Sequence, residues 1–269
     1  MQTLVTHINP HLDDIVAIWL FKKFYPKFNG SKIEFISAGV DLSGEESEEK
    51  IFFGVGKGRF DEHKGDIGEC ATSLVWKDIV QNGLAPKDEI ELKACVELVE
   101  WSRKVDLGQT DEEFDGFSMP AFIRPIDGTE VGSLRALSLG EEILDRIIEV
   151  LKRNKQSLQD FQEAREFPST FGKFIAVKSE TVNRAFCKKQ DGDLFLMYSP
   201  KSNWVQYFTP KENINLEPLY LKLKKIDGEA SWYLHHSNHF ILCGANSSPD
   251  PKKTKLSFDN LIEVAASLG

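Results

Sequence analysis

Near the start of the chain, His7, His11 and Asp13 fall in the pattern H-x-x-x-H-x-D. The segment around them leaves a β-rich run and enters a helical one, which puts these side chains at the carboxyl edge of a parallel sheet, where α/β proteins bind ligands. Imidazole and carboxylate donors together suit manganese, iron or zinc better than calcium. The same residues also fit a plainer role, in which Asn9-Pro10 makes a turn and the acids cap the helix that follows. A second group, Asp61-Glu62-His63, lies in the glycine-rich stretch Gly58 to Gly65. Three adjacent groups able to coordinate or to move protons are costly to bury without a partner, and a cation is a natural one; a charged surface turn is the alternative. A third candidate, Asp106, ends a helical pattern, where a carboxylate opposes the helix dipole unless a positive charge such as a metal offsets it. Taken alone, Asp106 reads as a solvated helix end.

The elements that must position these groups follow from periodicity and punctuation. Thr3 to Ile8 reads as a strand and Ile15 to Tyr25 as a helix. Lys32 to Ala38 and Lys50 to Val55 are strand candidates, separated by the acidic segment Asp41 to Glu49. Ala71 to Gln81 and Lys87 to Val105 are helix-patterned, with Gly83 and Pro86 between them. Leu107 to Gly132 reads as a long loop, and Val131 to Phe167 as one or two charged helices. After Pro168 to Gly172 the chain becomes strand-rich, at Phe174 to Val177, Leu194 to Tyr198, Trp204 to Phe208 and Phe240 to Cys243, and Phe258 to Leu268 is a closing helix. Strands alternating with helices predict an α/β domain with a parallel sheet and helices on both faces. The domain boundary falls near Phe167, giving domains 1–167 and 168–269, the second smaller and α+β.

Of the 269 residues 41% are hydrophobic, enough for one large core or two modest ones. The apolar run Ile15 to Phe21 is too short to span a bilayer and follows two aspartates, so a soluble protein with no membrane partner is expected. Cys70, Cys95, Cys187 and Cys243 form no C-x-x-C pair, which argues against a zinc knuckle or a disulfide framework and fits a reducing cytoplasm. The formal charge of -9 argues against a general nucleic-acid coat protein. From Thr170 to Gly269, however, 13 Lys and Arg stand against 10 Asp and Glu. An acidic front suits a cation-collecting site and a mildly basic back an anionic substrate, though charge of this kind also serves solubility.

With these segments in view, the chain resembles the DHH phosphoesterase superfamily. Thr6 to Ile15, T-H-I-N-P-H-L-D-D-I, is similar to that superfamily's first motif, T-H-x-N-P-D-x-D-A-I. A closer likeness is to the melanocyte-proliferating-gene exonuclease family: Phe60-Asp61-Glu62-His63 is similar to its F-D-H-H, Asn203-Trp204-Val205-Gln206 to its N-W-R-V-Q, and His236-Ser237-Asn238-His239-Phe240-Ile241 to its H-A-S-G-F-I. The resemblance implies a metal-binding DHH-type domain followed by a carboxyl-terminal substrate domain. It puts His7, His11, Asp13, Glu62 and Asp106 at ligand positions, with Asp61 and His63 as the catalytic pair and His63 beside the attacked phosphate. It implies that His236, Ser237 and Asn246 hold substrate. His236 alternatively faces solvent from a strand. Two departures stand out. Gly54 occupies the place of a metal-bridging aspartate, for which Asp41 is a conceivable substitute, and Glu62 occupies that of a histidine ligand.

The implied activity is hydrolysis of phosphodiester bonds in short RNA or small nucleotides, as in a 3′-5′ exonuclease, in a cleft between the domains. One or two divalent cations per chain are implied, Mn2+ first and Mg2+ second. A homo-oligomer is compatible with this. The alternative is a DHH-like protein that binds a nucleotide or metal without hydrolysis, and Gly54 and Glu62 favour it.

Overall fold

The computed structural model describes residues 2–65, 68–110, 118–125, 127–245 and 252–268. They fall into two compact units, Met1–Lys152 and Arg153–Gly269. Among the described residues no helix is long and apolar enough to cross a membrane.

In the first unit three parallel strands run in the order β2-β1-β3, with β1 at Thr3–His7, β2 at Lys32–Ile36 and β3 at Lys50–Phe52. Parallel neighbours need a crossover, and α1, Leu12–Phe24, carries the chain from β1 to β2. Every residue of α1 from Leu12 to Phe21 is buried, which explains why this helix has no polar face. Its neighbours include α2 (Ala71–Gln81), α3 (Glu89–Asp106) and α5 (Glu130–Gln162), all of which contribute to one core with Leu4 and Ile51 of the sheet. Trp19 is buried against α5, and its indole N–H donates to Asp145 Oδ1 at 2.8 Å.

The helices expected on both faces of this sheet share that single core. On the other face Val5 and Phe52 form a small cluster closed by Ile36, Leu42 and Val55, which come from a strand end and loops. The segment expected as loop contains a short helix, α4, Met119–Ile123. The helical pattern expected to reach Phe167 ends at Gln162, and Arg165–Ser169 is a strand, β4. Pro168 is tolerated there because β4 is an edge strand. The units divide inside α5, while the boundary expected at Phe167 falls on β4.

The second unit is built on a six-stranded mixed sheet in the order β4-β5-β6-β7-β9-β8. Here β5 is Gly172–Lys178, β6 Leu194–Ser199, β7 Trp204–Phe208, β8 Tyr233–Leu234 and β9 Phe240–Cys243. Only β5 and β6 are parallel, and the connection between them contains α6, Arg184–Cys187. Helices α7 (Glu217–Ile226) and α8 (Phe258–Ala266) cover one face, meeting Phe174, Leu196 and Tyr207. Ile175, Val177, Phe195 and Met197 point into a second cluster with Val182 and Cys187. Burial on both faces explains why β5 and β6 read as continuous apolar runs. The Tyr207 hydroxyl, fully buried, donates to the Leu261 carbonyl at 2.7 Å and so ties α8 to the sheet.

Candidate metal centre

Strand β1 delivers His7 to the sheet edge, and the turn after it is set by local chemistry. Asn9 adopts a left-handed backbone with φ 61°, a conformation asparagine tolerates well, and its N–H donates to Ser133 Oγ at 3.0 Å. His11 then starts α1, its N–H donating to Asp14 Oδ2 at 2.8 Å. His7 Nδ1 donates to the Ile8 carbonyl at 2.7 Å, and Nε2 is left facing Asp14 Oδ2 at 3.0 Å. Burial lowers the imidazolium's pKa, but the hydrogen bond and charge of Asp14, the Ile8 carbonyl and the charge of Glu62 outweigh it and push the pKa up to about 9. The His7 and His11 rings meet edge-on, with centroids 4.9 Å apart. His7, His11 and Asp14 can each offer a ligand atom within 4.8 Å of the others.

Asp13, expected beside these histidines, turns elsewhere. Its carboxylate accepts the Ala71 N–H at 2.8 Å and the Thr72 N–H at 3.0 Å, the first two of α2. It caps a helix, though not its own. Burial pushes its carboxyl up to about 6, with the charge of Asp14 adding. Asp13 forms a second group of potential ligands with Glu62 and Asp106.

Glu62 and His63 lie on a short 3-10 turn, Glu62–Lys64. Buried Asp61 builds this turn: Oδ1 accepts from the His63 N–H at 3.0 Å and pairs with His63 Nδ1 at 2.8 Å, while Oδ2 accepts from the Lys57 N–H at 2.7 Å. The dyad leaves His63 Nε2 available, and the ring is exposed. Slight burial opposes charge on His63, but Asp61, Glu62 and Asp106 outweigh it and raise the pKa. Glu62 is pushed up to about 7, chiefly by burial and then by the charges of Asp13 and Asp14, against its own backbone N–H and His63. Its Oε2 is buried and has no hydrogen-bond partner. An orphaned carboxylate oxygen among other carboxylates is a donor set that a divalent cation fits.

Asp106, at the end of α3, is exposed, and its carboxyl is raised by burial of part of the side chain and by Asp14, against His11 and His63. These groups line one cavity of about 730 Å³. Asp41 does not join them. It is exposed, its carboxylate accepts from Ser43 N–H and Oγ and pairs with Lys57 Nζ at 3.1 Å, and its backbone bridges to Gly56.

In the second unit His236 is exposed and its ring packs 3.9 Å from that of His235. Ser237 Oγ pairs with His235 Nδ1 at 2.8 Å and lines a cavity of about 980 Å³ with Arg184, Lys188, His239 and Phe240. Among the described residues neither Arg184 nor Lys188 is ion-paired; the Arg184 guanidinium lies 4.2 Å from the Phe240 ring centre. Slight burial and the neighbouring charges of His236, Arg184 and His239 lower the His235 pKa, as a cationic surrounding must. Asn246 lies outside the described residues. Sequence reasoning missed Asp14, Arg184, Lys188 and His239. Two cations at i and i+4 just after the strand Phe174 to Val177 were the available signal for Arg184 and Lys188.

No protein-family model matches this chain, and no curated protein matches it.

Proposed function

We propose that the chain is a metal-dependent phosphoesterase of DHH type that hydrolyses phosphodiester bonds in short RNA or small nucleotides. One observation carries the reading: the groups His7, His11, Asp14 and Asp13, Glu62, Asp106 border a single cavity in which the buried Glu62 Oε2 has no partner. Nitrogen and oxygen donors of this kind suit manganese, with magnesium the second choice. These residues would hold a divalent cation, which would supply charge for phosphoryl oxygens and lower the pKa of water. The chain itself contributes the His63–Asp61 dyad. Asp61 fixes the ring through Nδ1, so that Nε2 can hold or give a proton at a phosphate oxygen. In the second unit, Arg184 and Lys188 offer charge to an anionic substrate at the cavity with Ser237 and His239.

The test is to incubate the purified chain with short RNA labelled at its 5′ end, in manganese and in EDTA. Stepwise shortening from the 3′ end that requires manganese and is lost in His63→Ala supports the assignment. RNA that is bound but never shortened at any metal concentration contradicts it. That outcome would favour the second reading, a protein that binds a nucleotide or metal without hydrolysis. One observation speaks for the second reading: both oxygens of Asp13 already accept backbone N–H groups.

A further inference from the structure

Just beyond β3 the chain reaches Gly54, which has a positive φ of 63° and no side chain. The position is closed to most side chains, because a Cβ built on Gly54 would collide with Asp14 Oδ1, well inside van der Waals contact. Consecutive residues on a helix point about 100° apart. Asp13 therefore meets the first turn of α2, while Asp14 meets the end of β3.

The two oxygens of Asp14 have different surroundings. Oδ2 holds the turn, accepting the His11 N–H at 2.8 Å and facing His7 Nε2 at 3.0 Å. Oδ1 lies over the bare Gly54 backbone and accepts no hydrogen bond from any described residue, although the side chain is only 5% exposed. Asp14 also lines the 730 Å³ cavity. With no donor on Oδ1 among the described residues and the carboxylate at the cavity wall, that oxygen is free to accept a cation. A side chain at position 54 and the present position of Asp14 Oδ1 exclude each other.

We propose that Asp14 is a ligand of the metal centre, and that helix α1 thereby supplies the carboxylate that the chain just beyond β3 does not carry at Gly54. The proposal rests on the metal-centre reading above and deepens it, by pairing the Asp14 carboxylate with the bare position at Gly54.

The test is manganese binding by the full chain, measured by calorimetry with MnCl2 alone and by the paramagnetic resonance of free Mn2+, with circular dichroism as the check on folding. Asp14→Asn keeps an oxygen for the His11 N–H but removes the charge, and should weaken manganese binding about tenfold or more. The double variant Asp14→Ala with Gly54→Asp moves the carboxylate to the strand. Removing the Asp14 side chain clears the collision, and aspartate tolerates a left-handed backbone better than most residues, so the folded double variant should recover most of the lost affinity. Wild-type affinity in Asp14→Asn, with binding lost in His11→Ala, would overturn the Asp14 assignment and leave the metal centre standing. A double variant that folds but binds no better than Asp14→Asn would refute the exchange of positions. Failure of the wild type to take up manganese would remove the metal centre, and this proposal with it.

Discussion

Asp13 and Thr72 are joined twice: the Thr72 N–H donates to Asp13 Oδ1 at 3.0 Å, and the Thr72 hydroxyl donates to the Asp13 carbonyl oxygen at 2.9 Å. Both residues are buried, and the Ala71 N–H completes the cap. Asp13→Ala would strand two N–H groups at a buried helix start. Leaving such donors unsatisfied costs about 1–3 kcal/mol. Urea unfolding in EDTA should register that loss, and unchanged stability would mean that the cap is dispensable. The result also bears on activity assays, since inactivity of the Asp13→Ala variant would not by itself prove a lost ligand.

Asp106 makes the opposite case. It is exposed at the end of α3 and accepts no hydrogen bond from a described residue, yet it shares a potential ligand group with Asp13 and Glu62. A carboxylate at a helix carboxyl end opposes the dipole by a few tenths of a kcal/mol. Asp106→Asn should therefore leave metal-free stability unchanged or slightly raised while weakening manganese binding measured by calorimetry. Unaltered manganese affinity would remove Asp106 from the centre.

The cavity in the second unit separates two candidates for holding an anionic substrate. Arg184 and Lys188 line it together with Glu212, and neither is ion-paired among the described residues, whereas His236 is exposed and not among its lining residues. The double variant Arg184→Ala with Lys188→Ala should weaken binding of a short RNA by about tenfold and flatten its salt dependence. His236→Ala should change both much less. Equal effects from the two variants, in fluorescence anisotropy at several salt concentrations, would return His236 to the substrate site.

Much of the first unit is legible in the sequence because its signals are local. Apolar residues followed by Asn9-Pro10 mark β1 and the turn, and the helix over Ala71–Gln81 is bounded as its pattern predicts, whereas the helix expected from Ile15 starts at Leu12 and takes in both aspartates. The partners of Asp13 and Asp14 are not legible. Spacing places both acids at a helix start, but only the approach of α2 on one side and of Gly54 on the other assigns them different work. The strand Arg165–Ser169 hides for a related reason: its pairing with β5 overrides residues that continue the preceding helical pattern. Helix α7 is short, and the residues that anchor it, Leu219 and Leu223, are its two buried positions, too few to stand out from the strands around them.

Gly140 tests how closely α1 and α5 are fitted. An isolated Gly→Ala change inside a helix gains about 1 kcal/mol from propensity, so Gly140→Ala would be stabilising if the position faced solvent. A Cβ there would instead meet Ile15 Cγ2 at 2.5 Å. Ile15 is fully buried and branched at Cβ, so its methyl cannot swing aside without leaving its rotamer. Overpacking of this kind costs about 1–3 kcal/mol, which offsets the propensity gain and at the upper end exceeds it by about 2 kcal/mol. Gly140→Ala should therefore lower the midpoint of urea unfolding. Ile15→Leu removes the offending methyl at nearly constant volume, so the added alanine should be less damaging in that background than in the wild type. A single variant more stable than wild type would show that the helices separate at little cost.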